Sequence, residues 1–173
     1  IVMFAGKKVR DKKKRSIYLS AARSLIFNHC ISMRIDHQTF ETPIQGDVMM
    51  LSGSQSIFVP EAIDAEIEQR LKSHDIDITC PMWGRGRLAT FGEVQAQEEA
   101  VASEHSELCE GLERAGLKQE RRRARLLAKN TVLNVLEDET TIELSFDLPA
   151  GSFATTLLRE LLDYEDLTQR RQS

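Results

Sequence analysis

Residues 141–162 constrain the fold more tightly than any other stretch. Ile142, Leu144, Phe146 and Leu148 alternate with Thr141, Glu143, Ser145 and Asp147, the period of a half-buried strand. Then Phe153, Ala154, Leu157, Leu158, Leu161 and Leu162 recur at helical spacing. Pro149 and Gly151 punctuate the switch, and Ser152 is the expected N-cap of the helix. A strand therefore ends, turns sharply and delivers Phe153 into the first turn of a helix. Free amides at such a turn favour anions such as phosphate, and an aromatic ring there is a platform for a base. The plainer reading makes Phe153 a core residue, because large apolar side chains are mostly buried.

Charge is distributed unevenly along the 173 residues, although the net value is only −4. Lys7 to Arg15 holds seven basic residues against the single acid Asp11, and Arg121, Arg122, Arg123 and Arg125 follow Lys118 closely. Two basic blocks in an acidic chain suit a phosphate-tracking surface, or are simply solvated segments. Hydrophobic residues at 41% and charged residues at 29% fit an ordinary globular protein. No apolar run approaches membrane-spanning length, and no signal peptide is recognisable, which fits the cytoplasm. Cys30, Cys80 and Cys109 are odd in number and far apart, which argues for reduced thiols.

Along the chain, residues 7–15 read as a charged loop. Ser16 is then the cap of a helix over 17–35 with the stripe Leu19, Ala22, Leu25, Ile26, Cys30 and Met33. Residues 42–60 read as short strands and turns, around the runs Val48 to Leu51 and Ile57 to Val59. A second helix is expected from Pro60 or Glu61 to Ser73–His74, with Ile63, Ile67 and Leu71 inward. Residues 80–87 read as a loop in which Trp83, Arg85 and Arg87 form a stacking and phosphate site, or in which a buried Trp83 pins a glycine-shaped turn. Residues 93–111 suggest one long polar helix stopped by Gly116, and 117–127 a further, very basic helix. Two strands joined by an acidic turn then follow over 130–136 and 141–148.

Leu148 to Glu160 resembles the C-terminal motif of the tRNA pseudouridine synthase D (TruD) family. Val9 to Ser16, followed by Leu19 to Ser24 and Phe27-Asn28, is similar to that family's mid-chain motif. Gly46-Asp47, Pro81 to Gly86, and Gly116-Leu117 leading to Arg121-Arg122 match in the same order. The family's catalytic aspartate lies in an upstream Lys-Asp-Lys-type motif, and its Asn-x-Phe motif also lies upstream; neither is in this chain. Asp11 aligns with the mid-chain motif and is no nucleophile.

The resemblance implies the C-terminal half of such an enzyme and an α+β fold of mixed helices and short strands. Residues 1–15 would be a basic loop of an incomplete domain, 16–129 most of the family's inserted domain, and 130–173 the last part of the catalytic domain. The complete enzyme would convert uridine, at position 13, to pseudouridine in tRNA without a metal or organic cofactor. Phe153 would pack against the flipped base, and Pro149, Gly151 and Ser152 would shape its turn. Lys14, Arg15, Arg23, Arg85, Arg121 and Arg122 would be RNA contacts, with Asn28 tying its helix to a loop. The partner would be tRNA, with no membrane and a monomeric complete enzyme; this chain alone would be inactive. The alternative is a non-catalytic RNA-binding module or a truncated remnant. A metal centre from His29, Cys30 and His37 is rejected, because their spacing matches no standard zinc pattern.

Overall fold

A computed structural model describes residues 11–138, 140–149 and 152–163. It has mixed helices and antiparallel strands, divided into two compact units at Arg125/Leu126.

In the first unit, helix α1 runs Lys12–Asp36. Its cap is Asp11, not Ser16: the Asp11 carboxylate accepts from the amides of Lys13 at 2.9 Å and Lys14 at 3.2 Å. The expected loop therefore becomes helix from Lys12 onward, because Asp11 caps as well as serine and lies a turn earlier. Strands β1 (Met49–Leu51) and β2 (Ile57–Phe58) form the expected small hairpin. Helix α2 spans Ala65–Lys72. It starts later than Pro60 because Asp64 supplies the cap, accepting from Ile67 N at 3.0 Å.

Strand β3, Ile76–Met82, pairs with β1 on one side and β4 (Glu120–Arg123) on the other, in the sheet order β2-β1-β3-β4. All seven of its residues are buried. The expected loop thus starts only after Met82. Ile76 and Ile78 join Met49, Ile67 and Leu71 in one core; Cys80 and Met82 join Ala22, Ile26, Phe27 and Cys30 of α1 in another. Helices α3 (Gly92–Glu104) and α4 (Ser106–Arg114) close that second core with Val101, Ala102, Cys109 and Leu112. The single long helix expected here is broken at His105, whose φ of −118° and ψ of 30° depart from helical geometry. All three cysteines are free and buried; desolvation raises each thiol, Cys80 and Cys109 to about 12.

Residues 120–123 form a strand, not the expected helix, and the reason lies in its charges. Arg121 donates to both Glu98 carboxylate oxygens at 2.9 and 2.8 Å and to Thr79 O at 2.6 Å. Arg125 donates to Asp77 Oδ1 at 2.7 Å, and Arg123 lies 3.5 Å from Asp77 Oδ2. Arginines two apart thus neutralise acids that would otherwise be buried alone. Glu98 is 2% exposed and also accepts from Thr90 Oγ1 at 2.9 Å.

Gly46 has φ +103°, and a Cβ there would stand 2.2 Å from the Phe91 carbonyl oxygen. Gly46→Ala combines left-handed strain with overpacking against backbone. It is expected to cost roughly 2–4 kcal/mol, read as a lower urea midpoint; an unchanged midpoint would contradict this close approach.

The second unit contains β5 (Lys129–Val135), β6 (Ile142–Asp147) and α5 (Ala154–Leu161). The two strands are antiparallel, as the alternation predicts, with Leu133 opposite Leu144 and Val135 opposite Ile142. Asp138 organises the turn, accepting from the Thr141 hydroxyl and from Thr140 N and Thr141 N at 3.0 and 2.8 Å. These bonds, led by the hydroxyl, hold its carboxyl below the ordinary range.

Candidate nucleic-acid interface and exposed turn

Among its described residues the second unit has no fully buried side chain. Leu144 and Phe146 on one face of β6, and Leu148 just beyond it, are half-buried, while Val132, Leu133, Val135 and Ile142 are between 51% and 61% exposed. A two-stranded hairpin with one short helix buries too little apolar surface for independent stability. Its apolar side chains therefore call for a covering partner.

Phe153 stands at the start of α5. It is the N-cap residue, with extended φ −108° and ψ 113°, and Thr156 N donates to its carbonyl at 3.0 Å. Its side chain is 72% exposed, so in this unit it is not the core residue of the plainer reading. Ser152, the expected cap, sits one position before, where its amide donates to Pro149 O at 3.1 Å and closes the turn. No side chain among the described residues caps α5, and the Thr156 amide is already taken by the Phe153 carbonyl. Pro149 is exposed beside this turn, whereas Gly151 lies outside the described residues.

The expected basic contacts separate into two groups in the first unit. Arg23 is turned inward: it donates to Met82 O at 2.6 Å and Lys118 O at 3.0 Å and pairs with Glu120 at 3.0 Å. Arg121 is held by Glu98 and Thr79, with its side chain 5% exposed. These two arginines tie the fold together and present little charge to solvent. Lys14, Arg15, Arg85 and Arg122 are exposed. Arg85 donates through Nε to Glu113 O, and Arg122 lies over the Phe27 ring at 5.3 Å. Asn28 is exposed on α1 and ties to no loop among the described residues. Trp83 Nε1 donates to Glu113 Oε1 at 3.0 Å, which pins the 83–87 turn to α4. Gly84 lets this turn approach Lys118 O, which a Cβ would meet at 2.4 Å.

The first turn of α1 carries Lys12, Lys13, Lys14 and Arg15 with no acid among them. Positive charge at a helix N-terminus opposes the macrodipole. Four such side chains form an electropositive point suited to a phosphate, although the Asp11 cap already holds the Lys13 and Lys14 amides. The internal pairs of Arg121, Arg123 and Arg125 were not legible in the basic run, because Glu98 and Asp77 are distant in sequence. Only the alternation of the arginines hinted at a strand. No helix among the described residues is long and apolar enough to cross a membrane.

Comparison with known proteins gives this arrangement a context. The family model described as tRNA pseudouridine synthase D (TruD) matches residues 5–161. A Colwellia psychrerythraea protein named tRNA pseudouridine synthase D is 50% identical over 97% of this chain and 48% of its own length. One from Aeromonas salmonicida with the same name is 48% identical over 95% of this chain and 46% of its own. A Methanosarcina mazei crystal structure, described as belonging to a tRNA pseudouridine synthase D, aligns with TM-score 0.60 and 25% identity. It covers 80% of this chain and 36% of that one. The chain spans about half the length of the curated relatives it matches. It belongs to the tRNA pseudouridine synthase D (TruD) family.

Proposed function

We propose that this chain is the C-terminal half of an enzyme that converts uridine-13 of tRNA to pseudouridine, with the catalytic aspartate in an upstream half. The reading rests on the family membership together with one structural observation: the second unit is a hairpin and helix without an interior of its own. Such a piece is what remains when a larger sheet is cut, leaving an edge and an apolar face. The upstream half would cover that face and complete the site.

In the reaction the C1′–N1 glycosidic bond breaks, the uracil turns, and C1′ bonds to C5. The C5 proton is lost as N1 gains one, so the net change is an isomerisation that needs no redox partner. The aspartate would drive the first step. Phe153 would pack against the extruded base, which has left its stack and needs a new one. Pro149, Gly151 and Ser152 would hold the turn that presents it. Lys14, Arg15, Arg85 and Arg122 would contact tRNA phosphates, while Arg23 and Arg121 would act only by shaping the first unit. The complete enzyme would work as a cytoplasmic monomer.

The test is direct. Incubated with unmodified tRNA, the chain alone is expected to form no pseudouridine by mass spectrometry and to bind weakly. Four phosphate contacts would weaken binding roughly 100-fold between about 50 and 200 mM salt. Pseudouridine formed by the chain alone, or salt-independent binding, would overturn the reading.

A further inference from the structure

The fold brings together three metal-ligating side chains that sequence spacing does not connect. His29 projects from the middle of α1; Glu104 ends α3, and His105 forms the elbow between α3 and α4. His29 Nδ1 and His105 Nε2 share a hydrogen bond at 3.0 Å, which an ion bound to both nitrogens would replace, with the rings nearly perpendicular at 88° and their centroids 4.4 Å apart. The ligand atoms of all three residues lie within 4.8 Å of one another.

These distances suit one small ion. Zinc binds imidazole nitrogen at about 2.0–2.1 Å in tetrahedral geometry, which sets two such nitrogens roughly 3.3 Å apart. The histidine pair is within a few tenths of an ångström of that separation. The carboxylate, exposed at a helix end, closes the remaining distance by side-chain rotation. A recess of about 340 Å³ between α1 and α3 opens beside His29 and Glu104. It leaves room for a water or further ligand in the fourth position. Gln97 also lines it, with a buried Oε1 that has no hydrogen-bond partner among the described residues and would accept from an ordered water.

We propose that His29, Glu104 and His105 bind one divalent transition-metal ion of zinc-like character, which staples α1 to the α3–α4 elbow. Two imidazoles and one carboxylate favour zinc, nickel, cobalt or copper over magnesium or calcium, which prefer oxygen donors. Cys30, next to His29, is buried in the core and has no part in the site. The site lies apart from the exposed turn at Phe153 in sequence and unit, and does not depend on the proposed reaction.

Calorimetric titration of the metal-stripped 173-residue chain with zinc chloride tests this. One ion is expected to bind per chain with a dissociation constant in the micromolar range or tighter. His29→Asn and His105→Asn should each weaken binding by at least the roughly 10–100-fold seen when a mere outer-shell partner is lost. Asparagine is a favoured cap where His105 stands, and His29 is exposed, so both variants should fold. Zinc should raise the melting temperature of the parent chain and of His74→Ala, and not that of either asparagine variant. Absence of binding at 100-fold molar excess, or binding undiminished in both asparagine variants, would overturn the proposal.

Discussion

Phe153→Ala in the complete enzyme is expected to lower kcat/KM for tRNA by roughly 5- to 150-fold, the worth of the ~1–3 kcal/mol of one base–aromatic stack. The residue is 72% exposed and holds no core of its own unit together. The loss should therefore come with little change in melting temperature. Phe153→Tyr or Phe153→Trp should restore most of the activity, since either ring still offers a face. Arg87→Ala, on the exposed loop after Trp83, is the matched control and should change kcat/KM by no more than about two-fold. Equal losses at the two positions, or an inactive Phe153→Ala that also fails to fold, would contradict the role given to the ring.

The largest stability effect is expected at Arg34. Its guanidinium is 1% exposed and grips Asp47, itself fully buried, with Nη1–Oδ1 at 2.7 Å and Nη2–Oδ2 at 2.9 Å. The arginine also donates twice to Thr39 O at 3.0 and 2.7 Å, and Asp47 Oδ2 accepts from Ile44 N at 2.9 Å. One ion pair thus fastens the end of α1 to the segment entering β1. Arg34→Met leaves Asp47 as an uncompensated buried charge and is expected to cost about 3–5 kcal/mol. For a unit of this size that lowers Tm by roughly 10 °C or more. Replacing both partners, Arg34→Met with Asp47→Leu, should recover part of the loss, because removing two buried charges together costs less than orphaning one. Trp83 is the chain's one tryptophan and belongs to this unit, so its fluorescence follows the transition. A loss below about 1 kcal/mol would show the pair to be as weak as a solvent-exposed one.

Where periodicity and local caps decide structure, the sequence is readable. The alternation over 141–148 predicts β6, and the spacing of Ile67 and Leu71 predicts the buried face of α2. Where partners far along the chain decide it, the sequence is not. The 117–127 run has helix-forming residues throughout. It becomes a strand because Arg121, Arg123 and Arg125 reach Glu98 and Asp77. For the same reason, counting positive charge overstates the surface available to RNA, since Arg23 and Arg121 spend theirs inside the protein. No glycine or proline announces the break at His105, and Pro81 reads as a loop residue while it sits buried in β3. The turn at Phe153 is legible in outline only. Its cap falls on Phe153, one position after the expected Ser152.

The proposed function makes this chain one half of a divided active site. It is tested most directly by joining the chain to the upstream half of the 50%-identical Colwellia psychrerythraea synthase and mapping pseudouridine in unmodified tRNA. Modification at uridine-13 by the chimera, and none by either half alone, is the expected result. A chimera that melts cooperatively yet leaves tRNA unmodified, or modification by this chain without its partner, would contradict it.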